Sequence, residues 1–497
     1  MRMFTRRAFA RAVAGGAAFA RSSSFREAPA QPPLPPADFG FPAIGRVKPR
    51  PSLTITASPL SIGFETLDRK MFEPERTYGH LAELGVKWAR CQTGWARTER
   101  AKGEYDFAWL DDVVNSLRKI GIRPWFNLGY GNRLYTPDAP HESAVGWAPI
   151  FTAEAHAAWL NYVRRIAAHF AGRVQHWEIW NEPNIRNFWQ PKQPNAADYV
   201  ELVKITAPEI RKCVPKAVIV GGAIAGMPKG ADFLSRCMEL GLGDLIDKAS
   251  YHPYRPVPEL NYESEVRALR AMLAKHKPGL EIWQGENGCP SEKGGAGALA
   301  DLDWNETRQA KWLLRRILSD LRLGIELTSY FHTVDMVNYV WSSGQSGKTN
   351  FKGILRGNTY TRKPAYDAYQ CVCALFDSET RRTDLCLQAA KVLSQSGGDE
   401  KGSENTNAIC AASFARSNRP LHVYWRPADL QKGFGDSRVG LRWTDAAGRI
   451  SNPVLVDPLT AQVYALDRVR KDGVVWTLES APLLDHPLIV TDSAAVG

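Results

Sequence analysis

The chain has 497 residues, 44% of them hydrophobic and 23% charged, with 16 tryptophans and a formal net charge of +11. That length exceeds one small domain and suits a single large barrel with a smaller companion. The positive balance would suit a polyanionic partner, but no Lys/Arg run with interleaved aromatics occurs and acidic residues share the same regions, so nucleic-acid binding is set aside.

Residues 1–20, "MRMFTRRAFARAVAGGAAFA", carry the pair Arg6 and Arg7, then Phe9, a weakly apolar Ala/Gly stretch and a small-x-small sequence near Ala20. This resembles a twin-arginine export signal, the alternative being a basic tail. The protein is therefore expected to be exported, to the periplasm or the exterior. No later apolar run is long enough to span a bilayer, so no membrane segment is expected in the mature form. From 21 to 54 the chain is rich in Pro and Ala and reads as a linker or surface arm. Cys91, Cys213, Cys237, Cys289, Cys371, Cys373, Cys386 and Cys410 form no CxxC pair, so no metal site is expected.

Between 55 and 376, short apolar runs alternate with segments of helical period. The strand candidates are "LSIGF" (60–64), "VKWARCQ" (86–92), "IRPWFNL" (122–128), "VQHWEIWN" (174–181), "AVIVGGA" (217–223), "LIDKASY" (245–251), "LEIWQGE" (280–286) and "IELTSYF" (325–331). Amphipathic stretches such as 107–121, 156–172 and 308–324 lie between them. Eight strand-helix units predict a (β/α)8 TIM barrel, and the rival open doubly wound sheet lacks its Gly-rich phosphate loop. After about 377 the helical period gives way to alternating apolar and polar residues. Residues 377–497 therefore read as a C-terminal antiparallel β-sandwich domain.

In such a barrel, function gathers at the carboxyl ends of the strands. There the sequence places Arg90 on strand two, Asn127 on three, Asn181 and Glu182 on four, His252 and Tyr254 on six, Glu286 on seven and His332 on eight. Packing does not explain a polar ring where branched apolar side chains belong. Two carboxylates on separate strands suit glycosidic cleavage, one protonated to assist the leaving oxygen and one ionised to attack the anomeric carbon or activate water.

"WNEPN" at 180–184, "SYHPY" at 250–254 and "QGENG" at 284–288 resemble the clan A glycoside hydrolases. Over most of 55–376 the chain is most similar to family 39 and its relatives. The resemblance implies an acid/base role for Glu182 and a nucleophile role for Glu286 in a retaining double displacement. It further implies that Asn181 bonds the sugar 2-hydroxyl, Arg90 keeps Glu286 ionised, Tyr254 bonds the nucleophile and His252 supports the acid/base. Neither cofactor nor metal is needed. Arg90 as a plain ion-pair partner and His252 as a plain loop residue are the bland alternatives. Glu178 reads as a structural carboxylate paired with an arginine or an indole.

Many clan A members end strand eight with a tryptophan under the sugar. Here "SYFHTVDM" leaves His332 or Tyr330 for that place. Glu65 and Asp68 after strand one add two acids able to bond sugar hydroxyls. Trp95, Trp189, Trp283 and Trp341 are candidates for sugar-stacking platforms, with burial in the core as the alternative.

The expected function is an exported retaining glycosidase on polysaccharide-derived oligosaccharides, exo-acting and β-xylosidase-like. The alternatives are an endo-acting glycanase on the same scaffold and a non-catalytic carbohydrate-binding protein. The long segment 129–151 after strand three, able to wall off one end of a cleft, favours the exo reading.

Overall fold

The computed structural model describes residues 34–395, 409–435 and 437–496. The export-signal reading of 1–20 and the start of the 21–54 segment lie outside these residues.

Eight strands close a barrel: β1 (Leu60–Gly63), β2 (Trp88–Gln92), β3 (Arg123–Leu128), β4 (His176–Ile179), β5 (Val218–Ala225), β6 (Lys248–His252), β7 (Glu281–Asn287) and β8 (Leu327–Tyr330). They are joined in sequence order, all neighbours are parallel, and β1 pairs with β8. This is the TIM barrel expected from the alternating pattern. Its strands are short and almost wholly buried because helices cover their outer faces and side chains fill the inside.

Local signals set the helix boundaries. The side chains of Thr152, Asn195 and Asn305 accept main-chain N–H bonds at the starts of Ala153–His169, Ala196–Cys213 and Glu306–Arg322. Gly121 follows the helix Ala108–Lys119 with φ of 83°, and a Cβ there would stand 2.8 Å from the Leu53 Cα. Both the left-handed backbone and the close approach require glycine.

Inside the barrel, Trp125, Val220, Trp283 and Leu327 pack together near the starts of their strands. They form an apolar plug beneath the polar mouth. Trp283 is therefore a core residue, as is the fully buried Trp189, which packs against Trp180 and Phe151.

The C-terminal region forms two antiparallel sheets. One has the order Ala43–Arg46, Gln462–Ala465, Pro453–Asp457, Leu488–Asp492, Arg419–Trp425, Cys410–Arg416, Thr380–Thr383, and the other runs Leu387–Gln395, Ser437–Thr444, Val475–Leu483, Arg470–Asp472. Tyr424, Leu441, Trp443, Leu455 and Val490 fill the space between them. The segment read as a linker or surface arm is more than that. Ala43–Arg46 is an edge strand of the first sheet, and Phe39 and Phe41 are buried in the sandwich core. The prolines that gave the segment its linker-like composition flank these two anchors.

The helix Glu306–Arg322 is buried on two sides, by the barrel and by the β-domain, so it carries charged residues that are not exposed. Arg315 is fully buried and binds Glu259 through Nε at 2.9 Å while its Nη1 donates to the Ala428 carbonyl of the β-domain at 2.6 Å. The Trp425 indole donates to the same carboxylate at 2.7 Å. Burial alone would raise the Glu259 carboxyl, but Arg315 and this indole hold it below its ordinary value. Arg315→Met would leave Glu259 buried without a counter-charge, at a cost of about 3–5 kcal/mol. Thermal unfolding should show a lowered Tm, partly restored in Arg315→Met/Glu259→Gln.

Candidate active site

Strand periodicity brings Arg90 to the centre of the barrel mouth. It is the third residue of β2, fully buried, with its guanidinium carbon 5.6 Å from the centre of the Trp125 ring. Nε donates to Glu178 Oε2 at 2.8 Å, Nη1 to Glu286 Oε2 at 2.8 Å and to Glu65 Oε1 at 3.1 Å, and Nη2 to Asn181 Oδ1 at 2.8 Å. Asn127 adds a bond to Glu178 Oε2 at 2.9 Å. Glu178 is thus a buried partner of Arg90, and Asn127 helps to hold it. Arg90 takes the carbonyl of Asn181, which leaves the side-chain amide nitrogen as the donor for a ligand.

The backbone after β4 turns sharply to present Glu182. Trp180 and Glu182 both lie in the left-handed region, with φ of 71° and 46°, a conformation that costs side-chain-bearing residues of order 1–3 kcal/mol. The turn is held by Trp180 N–H to Leu128 O at 3.1 Å, Glu182 N–H to Ala223 O at 2.9 Å and the Trp180 indole to Phe188 O at 2.7 Å.

The Glu182 carboxyl faces His252, with Oε1 at 3.0 Å from Nδ1. Glu286 receives the Tyr254 hydroxyl on Oε1 at 2.9 Å. A ligand atom from each of Glu182, His252 and Glu286 lies within 4.8 Å of the others, so the two carboxylates face each other at short range. This trio is the one grouping with metal-ligand spacing among the described residues. The Arg90 guanidinium already supplies a full positive charge against Glu286 and disfavours a second cation there.

Electrostatics separate the two glutamates. Burial raises the Glu182 carboxyl to about 7, against the pull of Arg90 and with help from Glu178. His252 is pushed down to about 4 by burial, against the attraction of Glu286, so it stands neutral beside Glu182. Burial, and then Glu286 and Glu182, hold the Tyr254 phenol well above its ordinary value, so it remains a donor. Glu65 is raised to about 8, chiefly by burial and against Arg90. It keeps its proton near neutrality and so stands uncharged beside Arg90.

Three expected ligand contacts are not made. Trp95 is fully buried, stacked against Tyr135 and Tyr162 with its indole bound to Glu99, and belongs to the core between barrel and helices. His332 is fully buried, with Nδ1 at 3.1 Å from Val334 O and Nε2 at 3.2 Å from Glu65 O, and Tyr330 is buried with its hydroxyl on Cys289 O. Neither presents a face to the mouth. Glu65 likewise lies under the site as a partner of Arg90.

The residues around the mouth that sequence reasoning passed over centre on Arg69. It pairs with Asp68 at 3.1 Å, donates to Gln92 Oε1 at 2.7 Å and to Val340 O at 3.0 Å, and Gln92 donates to the Tyr130 hydroxyl at 3.0 Å. Gln92 shares the Arg90 face of β2 at the strand period of two, and that spacing was the available signal. Arg69 thereby anchors the hairpin Val340–Trp341/Gly344–Gln345, whose half-buried Trp341 packs on Tyr339 and lies 6.4 Å from Phe188. Phe188 belongs to the turn Arg186–Phe188 that follows Glu182, so Trp341 sits on the Glu182 side of the mouth.

Comparison with known proteins gives a consistent picture. The model of glycosyl hydrolases family 39 matches residues 70–282, a range that holds Arg90, Asn181, Glu182, His252 and Tyr254 and ends just before Glu286. A β-xylosidase of Geobacillus stearothermophilus is 29% identical over 194 residues, covering 35% of this chain and 36% of that protein. A β-xylosidase of Caldicellulosiruptor saccharolyticus is 25% identical over 332 residues, covering 58% and 62%. The chain thus spans less than two thirds of the length of these curated relatives. Among solved structures, a family 39 glycoside hydrolase from Bacteroides cellulosilyticus WH2 matches with a TM-score of 0.61 at 18% identity, over 88% of this chain and 81% of that one. A monomeric β-xylosidase from Caulobacter crescentus CB15 matches at 0.57 and 18%, over 90% and 97%, and these two likenesses speak for the fold.

With a closed parallel barrel and facing glutamates after its fourth strand and on its seventh, the chain is similar to the clan A glycoside hydrolases. Within that clan the likeness is to family 39.

The residue before Glu286 is constrained by the site. A Cβ on Gly285 would lie 2.4 Å from Ser250 Oγ and 3.2 Å from His252 Nε2. Gly285→Ala should therefore displace His252 from Glu182. The expected outcome is at least a tenfold loss of kcat/KM on aryl glycosides, with the circular dichroism spectrum unchanged.

Proposed function

We propose that the protein is an exported, retaining, exo-acting β-glycosidase of β-xylosidase type, working on oligosaccharides derived from polysaccharides. One observation carries the mechanism: the Glu182 and Glu286 oxygens lie within 4.8 Å of each other. A separation of about 5–5.5 Å accompanies retention, whereas inversion needs about 6.5–9.5 Å to admit a water between the carboxyls.

In the first step Glu286 attacks the anomeric carbon and forms a glycosyl ester while Glu182 passes its proton to the departing glycosidic oxygen. In the second, Glu182 takes a proton from water, the resulting hydroxide attacks the anomeric carbon, and the Glu286 ester bond breaks. Each group's surroundings suit its task. Arg90 and Tyr254 stabilise the negative charge that Glu286 holds at the start and regains at the end. The raised Glu182 keeps its proton up to about neutral pH. Asn181 offers its free amide to the sugar hydroxyl beside the reacting carbon.

The choice of a β-xyloside rests on the named relatives from Geobacillus stearothermophilus and Caldicellulosiruptor saccharolyticus. Exo action is supported by the segment 129–151. Gly131 packs against Trp147, and Gly146 against Asn187 and Phe188, so this segment lies along the turn that follows Glu182. Export rests on the Arg6-Arg7 signal.

A panel of aryl β-glycosides and α-L-arabinosides tests the proposal. The β-xyloside should be cleaved best, and Glu286→Gln should abolish cleavage. Glu182→Gln should cost about 10²–10⁴-fold on substrates with poor leaving groups and little on activated ones. In the unaltered protein kcat/KM should fall as pH rises past about 7, because Glu182 then loses the proton it must donate. Intact activity in Glu286→Gln would overturn the site, and an unreactive panel would favour endo action. Trp341→Ala should raise KM for xylo-oligosaccharides about tenfold and leave KM for small aryl xylosides unchanged, since it removes a platform beyond the cleaved bond.

A further inference from the structure

A second recess, of about 900 Å³, opens at the opposite end of the barrel, where the strands begin. It lies between the residues that lead into β3 and β4 and those that follow the helix Ala196–Cys213. Its wall includes Arg118, Arg123, Arg173 and Lys216 and contains no acidic side chain.

Two of these cations have ordinary employment. Arg118 Nη1 donates to the carbonyls of Gly172 and Arg173 at 3.2 and 2.7 Å, and Arg173 binds Asp111 at 2.6 Å. Basic side chains near helix carboxyl ends are expected to do this. The other two have no such partner. Arg123 is exposed, with its guanidinium over the Trp88 ring 5.6 Å from the centre, and among the described residues neither it nor Lys216 has a carboxylate within ion-pair distance. Neighbouring groups register the excess. His176 is pushed down to about 4 by burial and then by Lys248 and Arg123, against the smaller opposing effects of Asp247 and Glu281, and Lys87 is lowered by burial and then by Arg123.

The rest of the wall is apolar and partly flat. Trp88, Ile122, Pro124, Val214 and Pro215 line it, with the neutral His176 able to share a hydrogen bond. A concave site with apolar faces and two uncommitted cations fits a ring compound bearing a carboxylate. We infer that the barrel floor binds a uronic-acid residue of an acidic oligosaccharide, apart from the site of cleavage, an assignment of ligand class that rests on the glycosidase reading above. Arg123 and Lys216 would hold the carboxylate, and the apolar wall would meet the sugar's C–H face.

The full chain carrying Glu286→Gln, which consumes no probe at the other end of the barrel, provides the test by calorimetric titration. Hexagalacturonate should bind at low salt, and Arg123→Glu/Lys216→Glu added to that chain should weaken it at least tenfold. Xylohexaose affinity should not change. In the otherwise unaltered protein the same pair should leave aryl xyloside hydrolysis as it was. Equal hexagalacturonate affinity with and without the charge reversal would overturn the inference. So would displacement by equimolar sulfate, which marks a site that reads charge alone. If the reversal fails to fold, as thermal unfolding reports, Arg123→Gln/Lys216→Gln gives the same comparison. Absence of hydrolysis on every glycoside would count against the glycosidase reading and leave this binding result to stand or fall by itself.

Discussion

One guanidinium organises the mouth of the barrel. Arg90 reaches Glu65, Glu178, Glu286 and Asn181 at once, with its own side chain fully buried. A single positive charge among several carboxylates does not offset the burial of each of them. The conflict falls on Glu65, the acid most raised by burial, which holds its proton at neutrality. With Glu65 neutral, Arg90 can bind Glu178 below and Glu286 above, and the depth of one fixes the height of the other.

The same residue type is thereby given two chemistries. Glu286 has a cation and a phenol donor on its oxygens, while Glu182 has burial and a neutral imidazole. Two identical side chains thus meet different neighbours, which is what the proposed division of roles between them requires. His252 takes part because burial denies it a charge. A protonated imidazole at that distance would favour the ionised form of Glu182 and so lower its hold on the proton.

Much of this was legible in the sequence. The barrel followed from eight apolar runs separated by helical stretches, and the polar ring stood out because strand ends inside a barrel are otherwise apolar. Arg90, Asn181, Glu182, His252, Tyr254 and Glu286 do converge. Trp95 and His332 misled for a physical reason: a large ring gives the same sequence signal whether it meets a sugar or Tyr135, and only packing decides between them. The Arg69 cluster was harder to see, since its partner Val340 O is a main-chain atom 271 residues away that no side-chain pattern announces. Phe39 and Phe41 were obscured by the prolines around them.

The edge strand Ala43–Arg46 has a consequence for how the molecule is made. Its partner is Gln462–Ala465, so this strand must wait until that distant segment has been made before it can pair. Closing a loop of that length is entropically slow, and it follows the local strand-helix contacts of the barrel. The sandwich is therefore completed after the barrel, and Phe39 and Phe41 report its closure by leaving solvent. A quality-control step able to sense exposed aromatic residues in that segment would be reading whether the sandwich had closed.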